Sequence, residues 1–442
     1  MKTPIKPLLS ALLLLALPAA VHAQFTFTTN NGAITITKYT ASGGDVIIPD
    51  TTNGYPVTSI GSTAFEYAGL TSVTIPDSVT NLGTYAFYHC TSLTNVMMGN
   101  GAISIGNYGF YRCSGLINVT MGNNVTSIGD WAFDYCTSLS SVTVPGSVTN
   151  FGTSAFYNCS SLTNVVMGSG VSSIGNGAFN LCIRLNSVVI PNTVTSIGGD
   201  AFHMCPRLTG VVIPNSVTSI GSGAFGGSGL TSVTIPDSVT NIGTAFQNAR
   251  NLTNVTVGSG LTSIPDSAFS GCTSLTSVTV PNSVTSIATF AFDGCTSLTK
   301  AMIPNSVTNI GDKAFYDCVN LKGVYFQGNA PTLGGSSVFD FSAIAYYLPE
   351  TTGWDQWVSP PSAVLWNPSI HTTDGNFGVH RNQFGFTITG TANIPLAVAT
   401  CTNPDVPTWS PLQTCTLTNG SIYFSDPDWT NHPTRFYRIR SP

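Results

Sequence analysis

Charge is the property that this sequence lacks most. Only 7% of its 442 residues are charged, against roughly a quarter in an ordinary globular protein. Lysine and arginine number 14 and aspartate and glutamate 19, which gives a formal net charge of −5 at pH 7. A weakly acidic chain with so few cations is poorly suited to a phosphate backbone or an anionic membrane surface. We therefore expect no nucleic-acid partner.

The groups that enzymes use for acid-base and metal chemistry are also scarce. The only glutamates are Glu66 and Glu350, and there are six histidines. The sequence has no nucleophile elbow, no Cys-x-x-Cys pair and no glycine-rich loop between a strand and a helix. Asp130 and Asp134 could form a carboxylate pair, but we expect them to be an ordinary surface pair. The sequence thus predicts no enzyme activity, no cofactor and no metal site.

Long apolar runs are confined to the first residues. Residues 1–23 have two lysines, an apolar run and then small residues that end at Ala23, which is the plan of a signal peptide. No later run approaches the roughly 18 apolar residues that span a bilayer. We expect a mature chain that starts at Gln24, has no transmembrane segment, and is secreted or lies on the outer cell surface.

One phrase, PNSVTSIGSGAF at residues 214–225, returns along the chain with small changes. Successive copies are 22 or 23 residues apart. A fixed period in the twenties predicts a solenoid, in which each copy is one coil that cannot bury its apolar side alone. The copies are centred on Ile60, Leu82, Ile105, Ile128, Phe151, Ile174, Ile197, Ile220, Ile242, Ile264, Ile287 and Ile310.

Each copy contains the signals of several short elements. In the copy at residues 70–90, alternating β-branched residues at 70–75 predict a strand, and Pro-Asp-Ser at 76–78 predicts a turn. Residues 79–82 indicate a second extended piece. Apolar residues then recur at spacings of three and four, which favours a short helical turn. The phenylalanine of this last piece is expected to form an interior column with its equivalents, about 4.8 Å apart.

The pattern L-x-x-V-x-I-P-x-S-V-T-x-I-G-x-x-A-F-x-x-C resembles the leucine-rich repeats of the BspA type, found in bacterial surface proteins and some parasite surface proteins. The resemblance covers about residues 46–326. It implies an α/β repeat solenoid with a parallel sheet on one face and short helical turns opposite, and a role in adhesion or protein binding. It transfers no catalytic residue to this chain.

The ends of the chain depart from the repeat. FTFTTNNGAITITKY, near the start, predicts a hairpin around Asn31-Gly32. Alternating runs and turn signals near the end predict a small all-β, sandwich-like domain. The expected division is an N-terminal cap at 24–59, the solenoid at 60–326, a C-terminal cap at 327–357, a linker at 358–376 and the all-β domain at 377–442.

Nine of the eleven cysteines occupy one position of the repeat. Equivalent side chains in stacked coils point the same way, whereas a disulfide needs facing Cβ atoms about 3.8 Å apart. We therefore expect these nine to be buried free thiols that act as small apolar residues. Cys401 and Cys415 lie on two predicted strands outside the repeat and are the candidate disulfide.

Two outer surfaces could bind a partner. One is the outward face of the sheet, which is nearly uncharged and suits contact through hydrogen bonds and apolar side chains, unless its residues only reflect strand preference. The candidate residues on the sheet are Asn95, Met97, Asn118, Thr120, Ser141, Thr143 and Asn164.

The other surface is an aromatic patch opposite the sheet, confined to the first half of the repeats. Rigid rings with polar tips suit a protein partner or a sugar ring, although they could also do no more than stack on each other. The patch comprises Tyr85, Tyr88, Tyr108, Tyr111, Trp131, Tyr135 and Tyr157.

These observations and the resemblance together predict a secreted or surface-exposed protein that mediates adhesion or protein recognition. A carbohydrate-binding or polysaccharide-associated protein that uses the aromatic patch is a second hypothesis. A structural component of the cell envelope is a third. The expected partner is an extracellular protein or polysaccharide.

Overall fold

The computed structural model describes residues 24–339, 343–357, 362–403, 408–432 and 434–442. The predicted signal peptide and the first part of the predicted linker lie outside the described residues. Most of the described chain is a β-solenoid, in which each coil pairs in parallel with the next. Ser72 is paired with Asn95, for example, and Val73 with Val96, one repeat further on.

The longer strands of the coils form the sheet face. Their inward residues are mostly aliphatic, and their outward residues are polar side chains mixed with exposed aliphatic ones such as Val166 and Val189. This alternation is typical of a half-buried strand. These strands are Gly44–Ile47, Leu70–Ile75, Asn95–Met98, Asn118–Thr120, Ser141–Val144, Asn164–Met167, Ser187–Val189, Ser232–Ile235, Asn254–Val257, Ser277–Thr279, Lys300–Ile303, Gly323–Phe326, Ile344–Tyr347 and Ala363–Leu365.

A second ladder of short strands follows the Pro-Asp-Ser turn. Most of these strands bury one large apolar residue. They pair in parallel with neighbouring coils, as Ile105 does with Leu82. The strands of this ladder are Tyr55–Ile60, Asn81–Leu82, Ser104–Ile105, Ser127–Ile128, Asn150–Phe151, Ser173–Ile174, Ser196–Ile197, Ser219–Ile220, Ser263–Ile264, Ser286–Ile287, Asn309–Ile310 and Thr332–Leu333.

The predicted helical turns are wrong: this part of each coil is a series of tight turns. The Ala86 amide donates to the Gly83 carbonyl within the coil (3.2 Å), but the Tyr85 amide donates to Asn107 of the next coil (3.0 Å). Tyr85 has a φ of 58°, in the left-handed region that a right-handed helix cannot contain. Every second backbone amide therefore donates to the neighbouring coil. The apolar residues recur every three or four positions because successive tight turns, not a helix, place them on the inner side. Within the described ranges the helical segments are the 3₁₀ turns Trp354–Gln356 and Trp429–Asn431.

The predicted interior column of phenylalanines is confirmed. Neighbouring rings are stacked with centroids 4.7 to 5.6 Å apart and planes within 17° of each other. Burial of each ring contributes about 2 kcal/mol. The column comprises Phe65, Phe87, Phe110, Phe133, Phe156, Phe179, Phe202, Phe225, Phe246, Phe269, Phe292 and Phe315.

Aromatic side chains close both ends of the column. The predicted hairpin is confirmed: Phe25–Asn30 and Ala33–Tyr39 pair antiparallel, and Tyr39 stacks on Phe65 at 5.3 Å. At the other end Phe339 continues the stack at 5.4 Å. A solenoid needs such covers because its terminal coils would otherwise expose apolar core.

The C-terminal region consists of two antiparallel sheets. The described part of the predicted linker is not free chain, because Ala363–Leu365 extends the sheet face and Ser369–His371 pairs with Gln383–Thr389. Tyr325 and Tyr346 of the sheet face belong to the same buried cluster as the interior of the C-terminal sheets. The strands are Ser369–His371, Gly378–His380, Gln383–Thr389, Pro395–Cys401, Ser410–Thr416, Ser421–Asp426 and Phe436–Arg440. A further strand, Thr51–Thr52, lies in the N-terminal region.

Candidate functional site: the turn side and the sheet face

The turn side of the solenoid, opposite the sheet face, carries outward side chains in three columns. The backbone sets their register, since Tyr85, Tyr108 and Trp131 each donate an amide hydrogen bond to the following coil. The first column contains Tyr85, Tyr108 and Trp131. The second, three residues further along each coil, contains Tyr88, Tyr111, Asp134 and Tyr157, and the third contains His89, Arg112 and Tyr135.

The rings of the first column form a continuous stack. Tyr85 and Tyr108 have centroids 4.6 Å apart and planes at 12°, and Tyr108 and Trp131 are 5.0 Å apart at 7°. Ring faces within this stack cover each other, so only ring edges and the two terminal faces can meet a partner. The coil spacing of about 4.8 Å is what places the rings at stacking distance.

Rings of the second and third columns join this stack to form one surface. Tyr88 and Tyr111 are parallel at 5.4 Å, and Tyr111 contacts Tyr108 edge-on at 5.6 Å. Tyr135 bridges Tyr111 at 6.3 Å and Tyr157 at 6.0 Å. All seven residues predicted for the aromatic patch are half-buried, and the structure brings them together.

Asp134 interrupts the second column and is buried, contrary to the expected surface pair. It is 5% exposed, and its Oδ1 atom is buried with no hydrogen-bond partner among the residues that the structure describes. Burial raises the pKa of the Asp134 carboxyl to about 7, because a low-dielectric site disfavours the charged form. Asp130 has a separate role, since its Oδ1 accepts the Thr153 backbone amide of the next coil at 2.7 Å.

Arg112 is the cation of the aromatic patch. Its guanidinium lies over the Tyr111 ring at 5.4 Å and the Tyr135 ring at 5.3 Å, a cation–π arrangement. Its charge opposes the raised pKa of Asp134, although the ion pairs found within the described residues do not include these two. Both residues can be seen in the sequence as charges at positions that hold tyrosine in neighbouring coils, but the burial of Asp134 and the ring contacts of Arg112 were not predicted.

On the sheet face, the predicted residues align in register but fall on two separate sheets. Asn95 pairs with Asn118 and Met97 with Thr120, whereas Ser141 and Thr143 pair with the following coil. Within the described residues no ladder joins Asn118–Thr120 to Ser141–Val144. Asn95 and Asn164 are half-buried and the other five predicted residues are exposed.

A shallow cavity of about 510 Å³ lies at this break in the sheet. The two facing strand edges offer backbone groups, and amide and hydroxyl side chains surround them, so the cavity suits a polar, uncharged ligand group. Its walls include five predicted residues: Asn95, Asn118, Thr120, Ser141 and Thr143.

The C-terminal region covers the last coils of the sheet face. Tyr325 and Tyr346 are stacked at 4.9 Å and buried with residues of the C-terminal sheets. The Lys300 ammonium donates to the Pro442 carbonyl at 2.6 Å. The open part of the sheet face therefore lies in the earlier coils.

The cysteines of the repeat are buried and free, as predicted. Their thiols donate to the phenylalanine carbonyl of the preceding coil at 3.0 to 3.3 Å, as from Cys90 to Phe65. Burial raises the pKa of the Cys205 and Cys272 thiols to about 12, so thiolate chemistry is disfavoured.

The candidate Cys401–Cys415 disulfide is not formed. Both thiols are free. Their strands are adjacent, but Cys415 lies opposite Leu396 and Cys401 opposite Phe436 on the other neighbouring strand. An offset of five residues along a strand corresponds to about 17 Å, which is far beyond disulfide reach.

A family model described as "BspA type Leucine rich repeat region (6 copies)" matches residues 58–186, 172–245 and 243–351. A leucine-rich cell surface protein from Faecalibacterium prausnitzii is 34% identical over 69% of this chain and 94% of its own, with a TM-score of 0.46. A leucine-rich repeat protein from Bacteroides ovatus is 26% identical over 78% of this chain and 98% of its own, with a TM-score of 0.52. No protein of curated function matches the chain. Among the residues that the structure describes, no helix is long and apolar enough to cross a membrane.

Proposed function

Because the chain belongs to the BspA-type leucine-rich repeat family, we propose that it is a secreted or cell-surface binding protein that mediates adhesion or protein recognition through its solenoid. Membership of this family supports a general role in protein binding, and the predicted signal peptide supports export from the cell. The surface that we assign to this role is the open part of the sheet face.

One observation carries the proposal: the sheet face exposes aliphatic side chains in a region without charge. Between residues 70 and 280, the segment that each repeat contributes to the sheet face, such as residues 70–75, contains no charged residue. Val189 is 59% exposed and Val212 is 82% exposed. An exposed apolar stripe with a polar border is typical of a protein contact surface.

The break in the sheet adds hydrogen-bonding groups to this apolar stripe. The facing edges at Asn118–Thr120 and Ser141–Val144 resemble the strand edges that bind extended peptides in other proteins. An extended, uncharged segment of a partner could contact the aliphatic residues and donate to the side-chain amides of Asn95 and Asn118. Electrostatic steering contributes little on such a face, so we expect modest association rates that depend weakly on salt.

The test places charges on the sheet face. Residues 24–442 are passed over immobilised fibronectin, laminin and type I collagen, and retention is compared with that of a Val189→Asp, Val212→Asp double variant. We expect wild-type binding and at least tenfold weaker binding of the variant, because a buried unpaired charge is costly. Ile183→Asp, at an exposed position (46%) outside the sheet strands, is the matched control. Equal retention of wild type and double variant would contradict the assignment.

A second candidate function is carbohydrate binding, and the turn side favours it. The patch combines half-buried tyrosines, whose hydroxyl tips donate and accept hydrogen bonds, with a tryptophan ring at the end of the stack. Ring faces and hydrogen-bond acceptors in one place are the groups that a sugar ring needs.

A further inference from the structure

The second ladder of short strands ends at Thr332–Leu333, and no strand of the described residues pairs with its outer edge. The amides of Thr332 and Gly334 donate to the preceding coil at 2.9 and 2.8 Å. Because successive residues of a strand direct their backbone groups to opposite sides, the N–H and C=O groups of Leu333 are directed away from that coil. In an earlier coil the equivalent amide, that of Ile220, donates to the next coil at 3.0 Å. The edge at Leu333 is therefore open to a further strand.

The chain that follows does not supply this strand. It stays beside the last coil as far as Thr352, whose carbonyl accepts the Ala330 amide at 2.9 Å. Gly353 then adopts a φ of 86°, and the 3₁₀ turn Trp354–Gln356 carries the chain inward. Trp354 is buried there and stacks on Tyr347 at 4.9 Å. The two segments thereby separate.

A cavity of about 750 Å³ lies between these two segments. Its volume is within the range of roughly 300 to 1,000 Å³ that is typical of ligand sites. Its floor is apolar, because Leu333 and Trp357 are partly buried side chains that pack against the end of the solenoid core. Its walls are polar and include Thr332, Asp355 and Gln356. An open strand edge, an apolar floor and a carboxylate thus face one cavity.

The charge around the cavity is negative. Asp355 lines it and is exposed. The Asp312 carboxylate lies so close to Gly335, another wall residue, that a Cβ atom at Gly335 would collide with it. No lysine or arginine is among the described residues that line the cavity, and Lys313 lies over the Phe290 ring at 5.4 Å. The cavity is therefore complementary to a cationic group.

We propose that this cavity binds an extended peptide segment of another protein, which adds a strand beside Thr332–Leu333 and places a lysine or arginine side chain against Trp357 and Asp355. The backbone of the segment exchanges hydrogen bonds with Leu333, as in other cases of strand addition. The aliphatic stem of the cationic side chain packs on the Trp357 ring, and its charge is attracted to the ring and to the carboxylate. The site goes beyond the role proposed for the sheet face, because it lies on the other ladder and takes a charged ligand.

The surroundings of the cavity suit an extended ligand. A second cavity of about 530 Å³ shares Ala330 and Thr332 with the first, so a segment longer than one cavity can continue into the next. The second cavity adds the side-chain amides of Asn305, Gln327 and Asn329. Amide side chains donate to and accept from a peptide backbone.

A peptide matches the first cavity better than a saccharide does. The N–H and C=O groups of Leu333 have the spacing of a β-strand, which the backbone of an extended peptide complements at every second residue. A neutral sugar leaves the charge of Asp355 without a counterion, whereas a lysine or arginine side chain supplies one.

The test uses three pentapeptides, Thr-Val-X-Val-Thr, with blocked ends and lysine, glutamine or glutamate at X. The flanking β-branched residues favour the extended state. Binding to residues 24–442 is measured by calorimetry at pH 7 and millimolar peptide concentration. We expect the lysine peptide to bind most tightly and the glutamate peptide at least tenfold more weakly, because the carboxylates attract the first and repel the second.

Methylation of the peptide nitrogens tests strand addition separately from the side-chain contacts. In an added strand, every second peptide amide is directed to the Leu333 edge and the others are directed away from it. The lysine peptide is therefore compared with two versions, N-methylated at the lysine or at the following valine. One version should bind at least tenfold more weakly and the other within about threefold of the parent. Equal effects of the two methyl groups would refute strand addition.

Protein variants test the two walls. Leu333→Pro removes the outward N–H at an edge position, where proline is tolerated, and should lower the affinity for the lysine peptide at least tenfold. Asp355→Asn keeps the size of an exposed side chain and should weaken the lysine peptide about three- to fivefold. Asp266→Asn, at an exposed position equivalent to Asp312 two coils earlier, is the matched control and keeps wild-type affinity.

The other outcomes overturn the proposal in distinguishable ways. Failure of all three peptides to bind refutes the site and leaves the sheet-face proposal in place, because that proposal is tested with Val189→Asp, Val212→Asp. Lysine-peptide binding that survives Leu333→Pro and Asp355→Asn but is lost in the sheet-face double variant assigns the peptide to the sheet face. Binding of a β-1,4-linked glucose hexamer, without peptide binding and with loss in Leu333→Pro, assigns the cavity to a saccharide.

Discussion

The turn sides of the first and later coils share one backbone but carry different side chains. Tyr85, Tyr108 and Trp131 occupy left-handed positions that Gly177 and Gly223 fill further along. A left-handed backbone costs a non-glycine residue roughly 1 kcal/mol. The coils at Ser154, Gly177, Asp200 and Gly223 show that the fold forms without a ring at this position, although Phe290 places one there again near the end of the solenoid. The interior column, by contrast, is the same in both halves. The solenoid therefore does not need the aromatic patch in order to fold, and we favour binding of a partner as the reason for its presence.

The sheet face shows a similar contrast between its two ends. At the last coils, Tyr325 and Tyr346 are buried beneath the chain's own C-terminal region. In earlier coils the outward residues, such as Val189 and Val212, remain exposed. The covered end demonstrates that this face can dock a folded β-structure through apolar contact, which supports a protein partner for the open end.

The largest effect is expected in the interior, where the two halves should respond alike. Phe133→Ala and Phe269→Ala each remove a fully buried ring from the stacked column. Each should lower the free energy of unfolding by about 3 to 5 kcal/mol, through lost burial and the cavity left behind. Urea unfolding followed by circular dichroism measures both. A much smaller loss in one half would show that the column is not equivalent along its length.

A pH experiment should separate the two halves. The pKa of Asp134 rises from 3.8 to about 7 on folding, so between these values the native chain holds a proton that the unfolded chain has lost. Stability should fall as pH rises through this window, by roughly 2 to 4 kcal/mol. Asp134→Asn should abolish that slope when urea midpoints are compared at pH 4, 5.5, 7 and 8.

In the second half of the solenoid, the control is Asp237→Asn, which should change the pH dependence of stability in the opposite direction. The Ser259 amide donates to Asp237 Oδ1 at 2.7 Å and lowers the pKa of that carboxyl. The contribution of Asp237 is therefore complete above the unfolded pKa of 3.8 and is lost as pH falls through the lowered value. For this variant the urea midpoints are therefore compared between about pH 2 and pH 4. If both variants change the slope in the same direction, the burial argument for Asp134 is wrong.

The repeat made the coils, the phenylalanine column and the grouping of the patch predictable, because these depend only on equivalent positions lying above each other. The absence of a helix from this part of each coil could not be predicted, because successive tight turns and a helix give the same spacing of Ala86, Phe87 and Cys90. The burial of Asp134 depends on the rings that surround it, and the separation of Cys401 from Cys415 depends on strand register. Neither can be derived from spacing within one chain segment.

The smallest effect on stability is expected where the two halves differ most, and it tests the central claim directly. Thermal unfolding of a Tyr85→Gly, Tyr108→Gly, Trp131→Gly variant should give a midpoint within a few degrees of wild type. Relief of left-handed strain offsets the lost stacking, so the net change stays within about 2 kcal/mol. A fall as large as that of Phe133→Ala would contradict the account, because the rings would then be part of what holds the solenoid together.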